Sequence, residues 1–576
     1  MIAAQILEHY ERFADAPDAV ARLRHFIYDL AVRGKLVERT EREVAATRPT
    51  SLSSVAHSPA EQRPFSLPAG WKWTHLRDFV KHSDAGWSPK TEDWPREGDA
   101  WGVLKVSAVS WGQFRSWENK QVLPGTEPRL QAQVKLGDFL ISRANTAELV
   151  ARAVIVREEP INLMMSDKVV RLRLNDECDH EYILIVNNHA EFARAHYARH
   201  ASGVSPSMKN VSRDVILGLP LPLPPIAEQK RILAKVDVLM ALCDRLEAAR
   251  AARETTRDRL SSASLARLNA PHPEPKVFAG HARFALDNLD ALTTRPDQIK
   301  QLRQTILNLA VRGRLVEQDA GDEPASVLLK RAVNAQRIAA EQEGLRSRPP
   351  IEGVGREDLW FEIPDSWTLA SFDDVFVIVS GVTKGQKIAQ SEAIEVPYLR
   401  VANVQRGHLD LAVIKKIAVR ASDKVRYRLR SGDILMTEGG DWDKLGRAAI
   451  WRDEIDGCIH QNHVFRVRPA SVDILPNWVI TYANSLLGRA FFEDASKQTT
   501  NLASINMTQL RACPLPLPPL AEQHRIVAKV DQLMALCDRL EASLTASATT
   551  RRRLLDALLA VALGSAPAEA RAAAAE

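Results

Sequence analysis

The sequence predicts an α+β protein: two pseudo-symmetric modules of mixed strand and helix, separated by two long antiparallel coiled-coil-like helices. Three observations carry that expectation. Residues 220–248 and 514–542 differ at only four of 29 positions, 294 residues apart. Residues 23–38 (LRHFIYDLAVRGKLVE) and 302–317 (LRQTILNLAVRGRLVE) agree at eleven of sixteen, 279 apart. Between these blocks, 65–218 and 360–512 are divergent stretches of short alternating runs broken by Gly, Pro and Asn, the pattern of strands and turns. Self-similarity at one long period reads as one plan used twice.

The two ends of each half come first. Residues 1–45 form a helical segment that 281–345 repeats. The long helices span 219–270 and 513–565, and an Ala-rich tail at 566–576 is expected to be flexible. Tandem prolines (Pro224–Pro225, Pro518–Pro519) suit a helix start, and Glu228 and Glu522 fall in the first turn, facing the positive dipole end. Ile232, Val236, Leu239, Cys243 and Leu246 step by four and three, a coiled-coil seam. Ile526, Val530, Leu533, Cys537 and Leu540 repeat it, so each seam is the natural partner of the other. Two amphipathic helices packed on their own modules are the alternative.

The modules share weaker echoes. LPAGWKW (67–73) answers IPDSWTL (363–369), LGDFLIS (136–142) answers SGDILMT (431–437), and DKVVRLRL (167–174) answers NHVFRVRP (462–469), nearly all at an offset of 295. Lys424, Arg426, Arg428 and Arg430 alternate with Val425, Tyr427 and Leu429, and Arg129, Gln131, Gln133 and Lys135 fill the matching slots. Extended, such a run has one basic face, either solvated or turned to phosphate. Val169–Leu174 and Val464–Arg468 alternate similarly. Seven of the twelve tryptophans lie between Trp71 and Trp117; Trp87 and Trp94, among small and polar neighbours, are the candidates for exposed contacts. Glu181–Arg199 and Asn477–Phe492 read as amphipathic helices.

Composition sets limits. The 576 residues are 45% hydrophobic and 26% charged, ordinary for a globular protein. No apolar run reaches the roughly 18 residues of a membrane helix, and Met1–Tyr10 lacks the basic-then-apolar order of a secretory signal. Five cysteines (Cys178, Cys243, Cys458, Cys513, Cys537) exclude a disulfide scaffold and fit a reducing cytoplasm. The net charge of +5 selects no partner. Residues 70–218 hold 20 basic and 19 acidic groups, and 363–512 hold 19 and 17, so nucleic-acid binding would need the basic groups sorted onto one face.

Catalytic signatures are missing. There is no GxxxxGK[ST] phosphate loop, no Asn-Pro-Pro-aromatic tetrapeptide for gripping a flipped base, no nuclease-like acid-x-Lys following a Pro-Asp, and no Gly-x-Ser-x-Gly elbow. Cys458, His460 and His463 have ligand chemistry. Their counterparts Leu163, Met165 and Lys168 cannot ligate zinc, so no metal is expected, and His463 is read as a polar contact peculiar to the second module.

The duplicated LPLPP[IL]AEQ-x-RI-x-AKVD-x-LMALCDRLEA helix and the paired LAVRG[KR]LVE segment resemble the specificity subunits of type I restriction–modification systems. LPAGWKW followed by GWSPK (86–90), the Gly-Asp strand and the following [Gly/Ala]-Arg-Ala also fit, over essentially the whole chain. The resemblance implies two target-recognition domains, each reading one half of a bipartite double-stranded DNA site, with the long helices as a spacer. It implies that the chain is non-catalytic and binds no cofactor. Two methyltransferase subunits would bring S-adenosylmethionine for adenine methylation, and restriction subunits would bring ATP and Mg. The candidate DNA-binding residues are Ser88, Lys90, Arg143, Asn145, Lys168, Ser207, Lys209 and Asn210 in the first module. In the second they are Thr383, Lys384, Lys387, Arg426, Arg428, His463, Thr499 and Asn501, with Asn506 beside them. These residue types suit base edges and phosphates. Leu239, Met240, Leu246, Leu533, Met534 and Leu540 are the candidates for partner binding. GWSPK departs from relatives, which more often carry a second small residue at Trp87. A protein-interaction scaffold that does not touch DNA is the alternative, and an enzyme with an unrecognised site is a second.

Overall fold

The computed structural model describes residues 12, 14–16, 18–38, 64–203, 205, 208–270, 274–345, 349, 351, 353–385, 388–440, 444–499 and 502–563. The sequence readings at Met1–Tyr10, Ser207, Lys387, Asn501 and 566–576 lie outside them. The chain forms two compact units, one within 1–252 and from 548 onward, the other within 253–547.

In the first unit a leading helix, Ala19–Val32, ends at Gly34, whose φ is +67°. The Lys35 amide bonds back to Leu30 O at 2.9 Å, the left-handed helix stop that glycine makes cheaply. A Cβ there would lie 2.6 Å from the Pro68 ring and 3.0 Å from Trp71. This accounts for the VRG and LP-x-x-W motifs together. In the second unit, Pro296–Val311 ends at Gly313 (φ +65°) against Pro364 and Trp367 in the same way.

Each module is closed at its neck by its own first and last strands. Lys72–His75 pairs antiparallel with Pro220–Leu223, and Thr368–Ser371 pairs with Pro514–Leu517. The PLPL runs are therefore strands in two-stranded ribbons, a setting where prolines are tolerated.

Above the neck lies an antiparallel four-stranded sheet in the order Val80–Ala85, Val169–Leu174, Phe139–Ser142, Ala153–Ile155. The second module repeats it as Phe376–Ser380, Val464–Pro469, Ile434–Thr437, Ala448–Ile450. A three-stranded sheet accompanies each: Asn119–Gln121, Gly102–Leu104, Leu163–Met164, and Lys415–Val419, Ile394–Leu399, Ile459–His460. Each predicted amphipathic helix is two helices, His180–His189 with Glu191–His200 and Pro476–Asn484 with Leu486–Ala495. The breaks fall at Ala190 and Ser485, both in extended conformation. Asn188 and Asn484 fasten these helices to the sheets, each making two side-chain bonds to one backbone, Ala153 or Ala448.

Two expectations about basic strands are corrected. Residues 421–427 are an α-helix, and Leu130–Ala132 is a 3-10 turn. Both segments bend because their carbonyls face inward to arginine: Arg171 donates to Gln131 O and Gln133 O, and Arg466 to Arg426 O and Arg428 O. The arginines of the next strands are likewise not all outward. Arg171 is 2% exposed and Arg466 1%, because those strands are the second in their sheets and are covered on both faces. Arg171 pairs with Asp84 and with Asp138 at 3.0 Å; Arg466 pairs with Glu343, and Arg468 with Asp433. Pairing and extra hydrogen bonds are what make buried charge tolerable.

The long helices run Ile226–Leu268 and Leu520–Leu563, each roughly 65 Å at 1.5 Å per residue. Ile232, Val236 and Cys243, with Leu239 and Met240 against them, enter the core formed by Ile27, Ala31 and Val32 of the leading helix and the first module. Ile526, Val530 and Cys537 do the same with Ile299, Ile306 and Ala310. These seam positions thus close on the chain's own leading helix and module, where the other long helix was the expected partner. Arg24 bonds Asp244 and Glu247, and Arg303 bonds Asp538 and Glu541, at equivalent places. Each long helix begins in one unit and ends in the other. The Leu555 and Leu558 end meets Ala16 and Ala19, and Ser261 and Asn269 bond Leu292 O and Thr305 Oγ1. Lys35 caps Leu563 O, and Arg312 and Arg314 cap Asn269 O and Ala270 O, cations at helix C-termini. The five cysteines are buried and unpaired.

Candidate nucleic-acid interface

Four loops converge at one edge of each module, built on the ends of the four-stranded sheet. In the first module, residues 86–88 lie against 165–167: the Trp87 amide donates to Met165 O at 2.8 Å, and Ser88 Oγ bonds Asp167. Gly86 is required there, since a Cβ would lie 2.0 Å from Ser166 O. The Arg143 amide donates to Lys168 O, and Val211 N donates to Arg143 O. A two-stranded ribbon then places Lys209 opposite Asn145 and Asn210 opposite Ala144. Ser88, Arg143, Asn145, Lys168, Lys209 and Asn210 are therefore brought together from four separate stretches. Lys209 Nζ is turned to Gly203 O, and the exposed Lys90 follows the Ser88 turn.

The second module repeats the scaffold. Val382 N donates to His460 O and Asn462 N to Val382 O; Gly381 approaches so closely that its Cβ would lie 2.1 Å from His460 O. Glu438 N donates to His463 O, and Ile505 N to Glu438 O. Gly439 and Gly440 pair with Ser504 and Ala503, and the Thr499 backbone extends that ribbon opposite Leu502. Thr383 and Lys384 are exposed at the same edge. Arg426 and Arg428 belong elsewhere, beside the buried Arg466, and Arg428 is paired with Asp456 at 3.2 Å. Asn506 is the N-cap of Met507–Arg511, its side chain accepting from Gln509 N.

The same backbone thus displays different chemistry. Arg143 and Lys168 of the first module stand where Glu438 and His463 stand in the second. His463 Nδ1 lies 2.6 Å from Glu438 Oε2. Sequence reading missed Glu438 and Asn462, although the 295-residue offset placed Glu438 opposite Arg143. It also missed Trp111, 53% exposed, with the Arg115 guanidinium 5.3 Å over its ring. Its neighbour Ser110 accepts from Asn145 Nδ2 at 2.8 Å, which ties Trp111 to the ribbon. Of the two tryptophans expected to be exposed, Trp94 is, and Trp87 is half-buried under Arg129, 4.3 Å from the ring.

Cys458, His460 and His463 do not converge. Burial pushes the Cys458 thiol up to about 12 and the His460 imidazole down to about 3, and His460 Nδ1 bonds Val464 O at 2.7 Å. Among the described residues no group of three or more His, Cys, Asp or Glu is placed to hold a metal. Leu239 and Met240 are partly buried against the first unit's core, Leu533, Met534 and Leu540 against the second's, and Leu246 is half-buried.

Residues 364–549 match the family model described as the type I restriction modification DNA specificity domain. The EcoEI specificity subunit of Escherichia coli is 26% identical over 577 residues, 94% of each chain. The EcoAI specificity subunit of the same species is 26% identical over 575 residues, 94% of this chain and 93% of that one. Among solved structures, the HsdS subunit from Thermoanaerobacter tengcongensis aligns with a TM-score of 0.43 at 19% identity, covering 87% of this chain and 99% of that one. A chain from work described as the structural basis of complex assembly and conformational transition of the type I R-M system aligns at 0.47 and 17%, covering 87% and 100%.

Proposed function

We propose, for a chain that belongs to the family of type I restriction–modification specificity subunits, how its parts divide the work of reading DNA. The chain supplies DNA sequence recognition. Each module reads one half of a bipartite site with the four-loop edge, and the long helices set the gap between the halves. Two methyltransferase subunits dock on the helices and carry S-adenosylmethionine; restriction subunits bring ATP and Mg. The chain itself performs no chemistry.

One observation carries this reading. Along the frame that carries the edge the two halves share residues: Arg171 with Arg466, Asp138 with Asp433, Gly86 with Gly381, Arg24 with Arg303. At the module edge they differ: Arg143 against Glu438, Lys168 against His463, Asn145 against Gly440. Two copies of a scaffold that keep their frame and change one polar edge suit two different ligand sequences and one kind of partner. No described helix is long and apolar enough to cross a membrane.

The test is to reconstitute the chain with its cognate methyltransferase subunit and select methylated duplexes from a random pool. Enrichment of a split motif with a fixed gap is the expected result. No enrichment, together with association that is insensitive to salt, favours a scaffold that does not touch DNA, because phosphate binding weakens steeply as salt rises.

A further inference from the structure

The two edges differ in hydrogen-bonding sense. In the first module the exposed side chains at the sheet end are cationic donors, Arg143 and Lys168. The Asp167 carboxylate beside them is taken up by Ser88, whose hydroxyl donates to it and accepts from its amide. In the second module the same three places hold Glu438, His463 and Asn462. His463 Nδ1 lies 2.6 Å from Glu438 Oε2, and Asn462 Nδ2 lies 3.3 Å from His463 Nε2. With the imidazole neutral, these partners set one arrangement: the Asn462 amide donates to Nε2, and Nδ1–H donates to the carboxylate. The one N–H of the ring is then spent on the carboxylate. What remains for a ligand is two acceptors, Glu438 Oε1 and Asn462 Oδ1, neither bonded to any other described residue, with the second Asn462 Nδ2–H beside them.

A carboxylate at a DNA-facing edge is repelled by phosphate unless a donor meets it. In the major groove the donors are the amino groups N4 of cytosine and N6 of adenine, and glutamate accepting from cytosine N4 is a known pairing type, as is arginine with the O6 and N7 acceptors of guanine. The backbone holding Glu438 is fixed on both sides, by His463 O and by Ile505 N, so the carboxylate is presented from a rigid ribbon. Its side chain is 29% exposed and that of His463 54%, a partly desolvated acceptor with its partner at the rim.

We infer that the second module reads an amino-bearing base edge, cytosine N4 or adenine N6, through Glu438 and Asn462 held by His463. The first module reads an acceptor edge, guanine, from the equivalent place through Arg143 and Lys168. This rests on the DNA-reading function proposed above and assigns the sense of readout to each half-site.

The experiment uses the full chain, reconstituted with its methyltransferase subunits, on a pool of random duplexes. Glu438→Gln and Glu438→Arg are compared with the unmodified chain and with Arg143→Glu. Both Glu438 variants are expected to relax one position of one half-site, lowering discrimination there roughly ten- to a hundredfold, while the other half-site and the gap stay unchanged. Arg143→Glu is expected to relax a guanine in the opposite half. The unmodified motif tells cytosine from adenine at the Glu438 position. An unchanged motif with both Glu438 variants overturns the assignment, as does undiminished methylation with the unmodified chain of a duplex whose cytosine or adenine at that position is replaced by its analogue without the exocyclic amino group. Because Glu438→Gln is isosteric, retention of the other positions of its own half-site shows that the second module is folded. Absence of any bipartite motif with the unmodified chain overturns the DNA-reading function itself, a result distinct from an unchanged motif.

Discussion

Single side chains set the condition of each core. His460 is fully buried and held near a pKa of about 3, well under an ordinary histidine, chiefly because burial disfavours the cation. An unfolded chain takes up that proton once the pH falls below about 6.5. The stability His460 supports is therefore complete above that pH and is lost progressively as pH falls toward 3. At pH 5 the loss is about 2 kcal/mol. The first module places Met165 at the equivalent buried position. His460→Met should flatten the acid limb of second-unit unfolding between pH 6.5 and 4, measured by urea denaturation across pH. Arg171 makes a second prediction. Arg171→Met strands Asp138, 9% exposed in its side chain, and should cost about 3 kcal/mol, with Asp138→Asn in the double variant recovering part of it. The alternation of Val169–Leu174 was plain in the sequence, but a period of two does not say which face is covered. A strand buried on both faces looks the same as one with a wet side, so the arginines' inward turn was not legible.

At the scale of elements, motifs shared by the halves were the readable part. Gly34 and Gly313 explain VRG: each ends a helix at positive φ and lets a proline and a tryptophan close over it. Gly313→Ala places a Cβ 2.3 Å from the Pro364 ring at φ +65° and should destabilise by more than the roughly 1 kcal/mol that an unstrained glycine-to-alanine change can add to stability. A lowered thermal midpoint of the second unit is the check, and Ala substitution at the exposed Gly280, which meets nothing within 4 Å, is the control. The seam on the long helices was legible as a seam, whereas its partner was not. Heptad spacing states that a stripe is covered, and the leading helices 19–32 and 296–311 satisfy it as well as another long helix would. Residues 421–427 failed for a related reason. Their alternation of cation and apolar residue satisfies a strand, while the buried Arg466 guanidinium needs carbonyls from a bent backbone.

For the whole molecule, the repeat told most. Two copies offset by 295 residues predicted two modules of one topology, and the four-stranded and three-stranded sheets recur in the same order. The candidate edge was half legible. Ser88, Arg143, Asn145, Lys168, Lys209 and Asn210 converge because the sheet ends bring them there, while Glu438 was invisible to a search for cations and amides. A prediction at this scale follows from the proposed spacer. Adding four residues, about 6 Å of helix, between Leu246 and Leu260 should change the gap between half-sites and leave both halves readable in the methylated motif. An altered half-site with the old gap counts against the helix as spacer.

The neck has a consequence for inheritance. Because each module's first strand is zipped to its last, from Lys72 opposite Leu223 to His75 opposite Pro220, both ends of the module sit side by side at one place. A foreign module spliced between those two points joins the chain at the same four-residue ribbon, and its helices must then fit the leading and long helices as His189 fits Tyr28 and Asp179 fits Gln229. A lineage can thus exchange one module in a single genetic event while the long helices stay as they were.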